Sequence, residues 1–246
     1  MWKSGTIFTA STGFTRFNSQ PTVQLAFDAK ETSMNVKISG GSKENGVVFG
    51  NTYDKYGSQN PIVKLIMRGF ESALTELVDK ASPTSINEIG CGEGYWVLRW
   101  NKQGMQARGC DFSNRVIELA RENAMNELLS PVLFETRCIY DLALGRDSAD
   151  LVVCCEVLEH LEHPEAGLEA LQSVVERHLI VSVPREPLWC ALNLARGKYI
   201  ANFGNTLGHI QHWSKGGFVR MVSKYFEVIE VRSPLPWTML LCRPRN

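Results

Sequence analysis

The residues able to do chemistry fall in three stretches of this chain. The first is Glu88-Ile89-Gly90-Cys91-Gly92-Glu93-Gly94, an acid followed by three glycines at alternate positions. Glycines of this kind let the backbone approach a ligand and take up left-handed dihedrals. Their spacing narrows the ligand. A dinucleotide fingerprint needs G-x-G-x-x-G, and here Tyr95 falls where the third glycine would pack against a pyrophosphate. A carboxylate at Glu88 repels phosphate and favours a cationic amine or sulfonium. The second stretch, Gly109-Cys110-Asp111-Phe112-Ser113, follows about 20 residues after the first, where an acid accepts ribose hydroxyls. The pair of motifs points to a cationic, ribose-bearing ligand without phosphate.

The third set of residues can move protons. His160 and His163 follow the next apolar run, and His209 and His212 lie in a segment with Trp213. Of these, His160, His209 and His212 are the assigned catalytic candidates. Glu156-x-x-Glu159-His160 places an acid and an imidazole a helical turn apart. With His209 these side chains form an oxygen- and nitrogen-rich set suited to a metal ion, although no metal ligand is assigned. Arg185, Arg196 and Lys198 are able to pair with an acceptor carboxylate, and the alternative role for each is a solvated loop charge.

The elements that must position these residues alternate between strand and helix. Pro61 opens a helix with apolar residues at helical spacing through Val78, stopped at Ala81-Ser82-Pro83. Strands are expected at 85–89, 107–111, 132–135, 149–155 and 178–183, with the fourth apolar throughout, as a buried parallel strand should be. Helices are expected at 95–103, from the Ser113 cap to about Leu128, and from Pro164 to about Glu176. Residues 184–213 break the rhythm with Trp189, Tyr199 and Trp213, and read as a lid or binding insertion. A helix at 215–225 and strands at 228–231 and 238–241 close the chain. Residues 1–50 are polar and weakly periodic, with a short alternation at Val23–Phe27, and read as an N-terminal extension to a domain spanning 51–246. The pattern predicts an α/β fold with a doubly wound, mostly parallel sheet.

At this point the chain resembles the class I S-adenosylmethionine-dependent methyltransferases. The resemblance rests on Ile86–Gly94, Gly109–Ser113 and Asp150–Val153 continuing through Glu156-Val157-Leu158-Glu159-His160-Leu161. It covers roughly Asn51 to the C-terminus and implies a Rossmann-like, seven-stranded sheet whose last strand is antiparallel. It implies S-adenosyl-L-methionine as cofactor, with Glu88, Gly90, Cys91, Gly92 and Gly94 around its methionine and ribose, and Asp111 on the ribose hydroxyls beside Phe112. Ile139 and Tyr140 would lie near the adenine, and Cys155 and Glu156 beside the methionine end. Cys138 stands where the family often carries Asp or Asn. Glu156, Glu159, His160 and His209 are similar to the metal site of small-RNA 2′-O-methyltransferases and of some ubiquinone-pathway O-methyltransferases. The stretch from Val183 to Ser214 loosely resembles a subgroup found beside natural-product or surface-glycan genes.

Composition limits the partners. Lys plus Arg and Asp plus Glu both number 26, so there is no global field to attract nucleic acid or an anionic membrane. Seven cysteines without a C-x-x-C pair suit a reducing, cytoplasmic setting. No run is long enough for a bilayer span, which takes about 20 apolar residues. The expected activity is O-methylation of a small molecule or natural-product precursor, with a carboxylate of a modified peptide as a variant. Rival readings are a non-catalytic cofactor-binding subunit, a metal-dependent O-methyltransferase acting on RNA or a quinone precursor, and a nicotinamide oxidoreductase. The oligomeric state is open.

Overall fold

The computed structural model describes residues 34, 36–41, 43–44, 47–48, 50–51, 54–197, 199–206 and 208–245. The alternation at Val23–Phe27, most of the N-terminal extension, and Lys198 lie outside the described residues.

The core is one seven-stranded sheet: β1 Ile86–Ile89, β2 Ala107–Asp111, β3 Phe134–Thr136, β4 Ala149–Cys155, β5 Val175–Pro184, β6 Phe226–Arg232 and β7 Trp237–Pro244. Its order is β3-β2-β1-β4-β5-β7-β6. The pairs among β1 to β5 are parallel, and β7 runs antiparallel to both β5 and β6. This is the expected doubly wound sheet with an antiparallel last strand. Strand order reverses between β1 and β4, the place where such sheets leave a crevice at their carboxyl ends. Among the described residues six α-helices flank it: α1 Pro61–Ala81, α2 Tyr95–Lys102, α3 Asn114–Asn126, α4 Pro164–Val174, α5 Leu188–Ala195 and α6 Lys215–Val222. Asn60 caps α1 through its side chain, Ser113 caps α3, and Ser82 ends α1 in the left-handed region.

Two buried clusters fill the faces of the sheet. One joins Phe70, Leu74 and Leu77 of α1 to Trp96 and Trp100 of α2 and to Trp237. The other joins Leu168 and Leu171 of α4 to Phe218 of α6 and Phe226. Several boundaries moved, the helix expected at 215–225 ending at Val222 and the strand expected at 178–183 starting at Val175, and two of the shifts have a clear cause. Pro131–Leu133 forms a 3-10 turn, so β3 starts at Phe134 rather than Val132. Helix α4 stops at Val174, because Val175 is β-branched and already pairs with Ala149. Among the described residues no helix is long and apolar enough to cross a membrane.

The described residues between 36 and 51 pack onto this domain through Lys37, which exchanges backbone hydrogen bonds with the Asn123 side chain, and through one buried carboxylate. Glu93 is 1% exposed and accepts from Ser39 N and Oγ, Asn51 N (2.8 Å) and Asn51 Nδ2 (2.6 Å). Between those anchors, Lys43–Glu44 pairs antiparallel with Val47–Val48.

Candidate active site at the carboxyl ends of the first and fourth strands

The three glycines of the loop do different work. Gly90, Gly92 and Gly94 all have positive φ, at 78°, 53° and 87°. A Cβ on Gly90 would meet Val157 Cγ2 at 2.3 Å, and one on Gly94 would meet Phe134 Cζ at 2.5 Å. These two positions let other elements pack against the loop. A Cβ on Gly92 would meet nothing within 4 Å, so it is Gly92 that opens onto free space. Cys91, expected against the cofactor, turns inward instead. Its side chain is buried and sits where a Cβ on Gly109 would meet it at 2.7 Å. Only its backbone belongs to the cradle.

Asp111 ends β2 and is 8% exposed. It accepts from Gly92 N and from Ser113 N, both at 3.1 Å. One carboxylate thus fixes the glycine loop to the start of α3 and keeps unused lone pairs at the crevice. Burial raises its pKa above that of an ordinary aspartate, and the backbone donors oppose the rise. Glu88 is buried at the end of β1, with its pKa pushed up by desolvation, and its Oε2 has no hydrogen-bond partner. An orphaned buried carboxylate oxygen suits a cationic ligand atom. Phe112 and Tyr140 are both exposed, whereas Ile139 is buried in a 3-10 turn. Tyr95 opens α2 and stacks on Tyr56, with ring centroids 3.7 Å apart. Tyr56 in turn accepts a hydrogen bond from Trp96 Nε1 at 3.0 Å.

The acidic pair after β4 is split by the backbone. Glu156 has φ 61°, left-handed for a non-glycine residue, and Leu158–His160 forms a 3-10 turn rather than an α-helix. Glu156 therefore faces the sheet. It accepts from Trp237 Nε1 at 2.6 Å and from Ser182 Oγ at 3.3 Å. Burial raises its pKa to about 7. Cys155 beside it is half-buried, its thiol pushed up by burial. Glu159 is 1% exposed, and neither of its oxygens has a hydrogen-bond partner. One ligand atom each from Glu159, His160 and His209 lies within 4.8 Å of the others. The four-residue set expected from sequence is thereby corrected to three, because Glu156 is engaged by Trp237 and Ser182.

The insertion brings His209 to this place. Ile210 N and Gln211 N both donate to the Glu159 backbone carbonyl. His160 Nδ1 lies 2.8 Å from the carbonyl oxygen of Gly208, and the His160 and His209 rings meet edge to face at 4.9 Å. Burial, followed by the charges of His160 and His212, lowers the His209 pKa to about 3, so its imidazole is neutral. His212 is exposed, and its Nε2 lies 2.9 Å from Asn205 Oδ1. Asn205 Nδ2 donates to the His209 carbonyl, so His212 buttresses His209 instead of joining the cluster. His163 is exposed at the start of α4. Trp189 stacks on His209 at 5.8 Å and contacts Trp237 at 5.9 Å, which packs on Phe70. Sequence reading did not assign this aromatic wall, since Trp189, Trp237 and Phe70 come from three distant elements. Arg185 anchors the base of the insertion in a parallel bridge with Trp213. Arg196 Nη2 is held by the Asn193 side chain at 2.5 Å.

Residues 87–179 match the family model described as a methyltransferase domain. A ubiquinone biosynthesis O-methyltransferase of Xanthomonas euvesicatoria is 26% identical over 153 residues, covering 61% of this chain and 63% of the relative. One of the same name from Chromobacterium violaceum is 32% identical over 92 residues, covering 36% of this chain and 38% of the relative. The chain thus spans less than two thirds of the curated relatives it matches. The magnesium protoporphyrin IX methyltransferase of Synechocystis PCC 6803, solved with bound SAH, superposes with a TM-score of 0.58 at 19% identity. It covers 77% of this chain and 90% of its own.

Proposed function

Through residues 87–179 the chain belongs to the class I S-adenosylmethionine-dependent methyltransferases, and from that premise we propose that it methylates a hydroxyl oxygen of a small aromatic acceptor. The cofactor supplies a methyl group on a sulfonium, which departs as a neutral thioether. The chain's residues fit it. Gly92 leaves open space for close approach, Asp111 offers acceptor lone pairs to the ribose, and the unpartnered Glu88 oxygen faces the cationic end.

The acceptor side rests on one observation. A buried carboxylate without partners, Glu159, stands beside two imidazoles at the end of β4. That donor set fits a divalent cation, with Glu159, His160 and His209 as its protein ligands. Such a cation supplies Lewis acidity that lowers the pKa of an acceptor hydroxyl. The aromatic wall of Trp189 and Trp237 orients a planar ring against His209 and excludes water. Arrangement of acceptor and methyl in line is the larger part of the protein's task. A peptide carboxylate is the weaker acceptor reading, because the aromatic wall suits a planar ring.

Calorimetry tests both halves. The protein is expected to bind S-adenosylhomocysteine and to ignore NAD, and to bind Mn²⁺ in a manner that Glu159→Gln abolishes. No heat with S-adenosylhomocysteine refutes the cofactor reading. Unchanged Mn²⁺ binding in Glu159→Gln refutes the metal site and leaves the cofactor reading standing.

A further inference from the structure

We propose that Thr206 is the positioning residue of the acceptor half of the site, the point at which the Trp189 indole and the His209 imidazole are locked to one another. The assignment rests on the aromatic-acceptor reading above. Both rings are carried by the insertion, with most of α5 and the 3-10 turn Ile200–Asn202 between them along the chain. Thr206 joins them through two of its own groups. Its Oγ1 accepts from Trp189 Nε1 at 2.8 Å, and its backbone carbonyl accepts from His209 N at 3.1 Å. One residue therefore holds the indole by its polar edge and the imidazole by its backbone. The two rings stack with centroids 5.8 Å apart and 29° between their planes.

Thr206 is itself held from behind. Asn193 of α5 is 1% exposed, and its Nδ2 donates to Thr206 Oγ1 at 3.1 Å and to the Gly204 carbonyl at 2.8 Å. Its Oδ1 accepts from Arg196. The buried amide thus meets the demand that burial makes on its donors and its acceptor without leaving the insertion. Gly204 brings the two arms together. Its φ is 82°, and a Cβ there would meet the Cys190 carbonyl oxygen at 2.2 Å, so residues 204–206 lie directly against α5. The Thr206 hydroxyl has two lone pairs, and both are used. Its loss would leave the Trp189 and Asn193 donors unpaired and free the indole to turn. The wall on which a planar acceptor lies would then lose its orientation, which is what in-line transfer depends on. Selection among planar acceptors therefore falls partly to a hydroxyl that binds the wall and not the acceptor.

The test uses the full chain saturated with S-adenosylhomocysteine, with catechol as the probe of the acceptor half. Catechol is titrated by heteronuclear NMR, which also reads the Trp189 indole N–H resonance, assigned through its loss in Trp189→Phe. Thr206→Val keeps the side-chain volume and removes the acceptor. It should shift that resonance and weaken catechol about 2- to 30-fold, the range of coupling carried through such networks, while calorimetry finds S-adenosylhomocysteine affinity unchanged. Thr206→Ser returns the hydroxyl and should restore both readouts. In a Trp189→Phe background, Thr206→Val should cost catechol little more, because the pair acts as one unit. Thermal unfolding checks each variant, and Thr206→Ala, which leaves room for water at the two donors, replaces Thr206→Val if that variant does not fold. An unmoved indole resonance or unchanged catechol affinity overturns the positioning role alone. Equal weakening of catechol and S-adenosylhomocysteine also overturns it, since that marks general damage. A parent that binds S-adenosylhomocysteine and no catechol refutes the aromatic-acceptor reading and this role with it, and leaves the cofactor reading standing.

Discussion

Replacing Gly92 and Gly94 separately by alanine should divide a loop that looks uniform in sequence. Both glycines have positive φ, where a side chain costs about 1–2 kcal/mol. At Gly92 that is the whole cost to the fold, since a Cβ meets nothing within 4 Å. For a domain of this size, 1–2 kcal/mol is about 2–8 °C in Tm. At Gly94 the Cβ also meets Phe134 Cζ at 2.5 Å, Phe134 Cε1 at 2.8 Å and Ala120 Cβ at 3.4 Å. Phe134 is fully buried and pinned between β2 and α3, so it cannot yield cheaply. Overpacking adds about 1–3 kcal/mol, for a sum near 2–5 kcal/mol and a fall of about 4–20 °C. Ligand effects should run the other way. S-adenosylhomocysteine at about 100 times its Kd stabilises the parent by about 2.7 kcal/mol. Gly92→Ala should lose most of that stabilisation, because its methyl occupies ligand space, whereas Gly94→Ala should keep a larger share of it while folded. Differential scanning calorimetry with and without ligand reads both quantities. A full ligand shift in Gly92→Ala, or a Gly94→Ala protein as stable as Gly92→Ala, would refute the division of roles.

Three other perturbations follow from the same geometry. Burial raises the Glu88 pKa, so the folded state binds that proton more tightly than the unfolded chain; unliganded stability should fall as pH rises through the window above the ordinary glutamate value, and Glu88→Gln should flatten that slope in thermal melts while weakening S-adenosylhomocysteine. Glu159→Gln and His209→Ala should each weaken Mn²⁺ binding by at least the ~10–100-fold that loss of an outer-shell partner costs, with Glu156→Gln affecting it less, as read by calorimetry. Glu93→Gln removes a charged acceptor shared by Ser39 and Asn51, and should speed amide exchange at those two residues by about tenfold or more, measured by hydrogen exchange.

The sheet was legible because its strands are short apolar runs bounded by glycine and polar turns, and because helices between them carry capping residues such as Ser113. Boundaries slipped where pattern and pairing compete. Val132 and Leu133 are apolar, yet Pro131 and the Ser130 cap turn them into a 3-10 segment. Val175 and Glu176 continue the helical pattern of α4 until pairing with Ala149 captures Val175 for β5. In the site, Asp111 and the glycine loop were readable as local motifs with fixed spacing. The roles within the loop were not, because Val157 and Phe134, which decide them, lie far along the chain. The same holds for Glu93, whose partners at Ser39 and Asn51 sit in a polar segment with no periodic signal.

The sharpest divergence concerns Glu156 and Glu159, which the backbone sends in two directions. On an α-helix, residues three apart share a face, and both acids would point the same way. The left-handed φ at Glu156 and the 3-10 turn after it break that relation. Glu156 is then held by Trp237 of β7 and Ser182 of β5, which ties its carboxylate to the sheet. Glu159 is swung toward the insertion, where its backbone carbonyl receives two amides and its side chain meets His160 and His209. A strained residue persists where its surroundings over-determine it, at a cost of about 1–3 kcal/mol. Two side-chain hydrogen bonds to Glu156 offset that cost, and Glu156→Gly would relieve the strain while losing both. The strain separates an acid tied to Trp237 and Ser182 of the sheet from an acid beside His160 and His209, within three residues of one strand end.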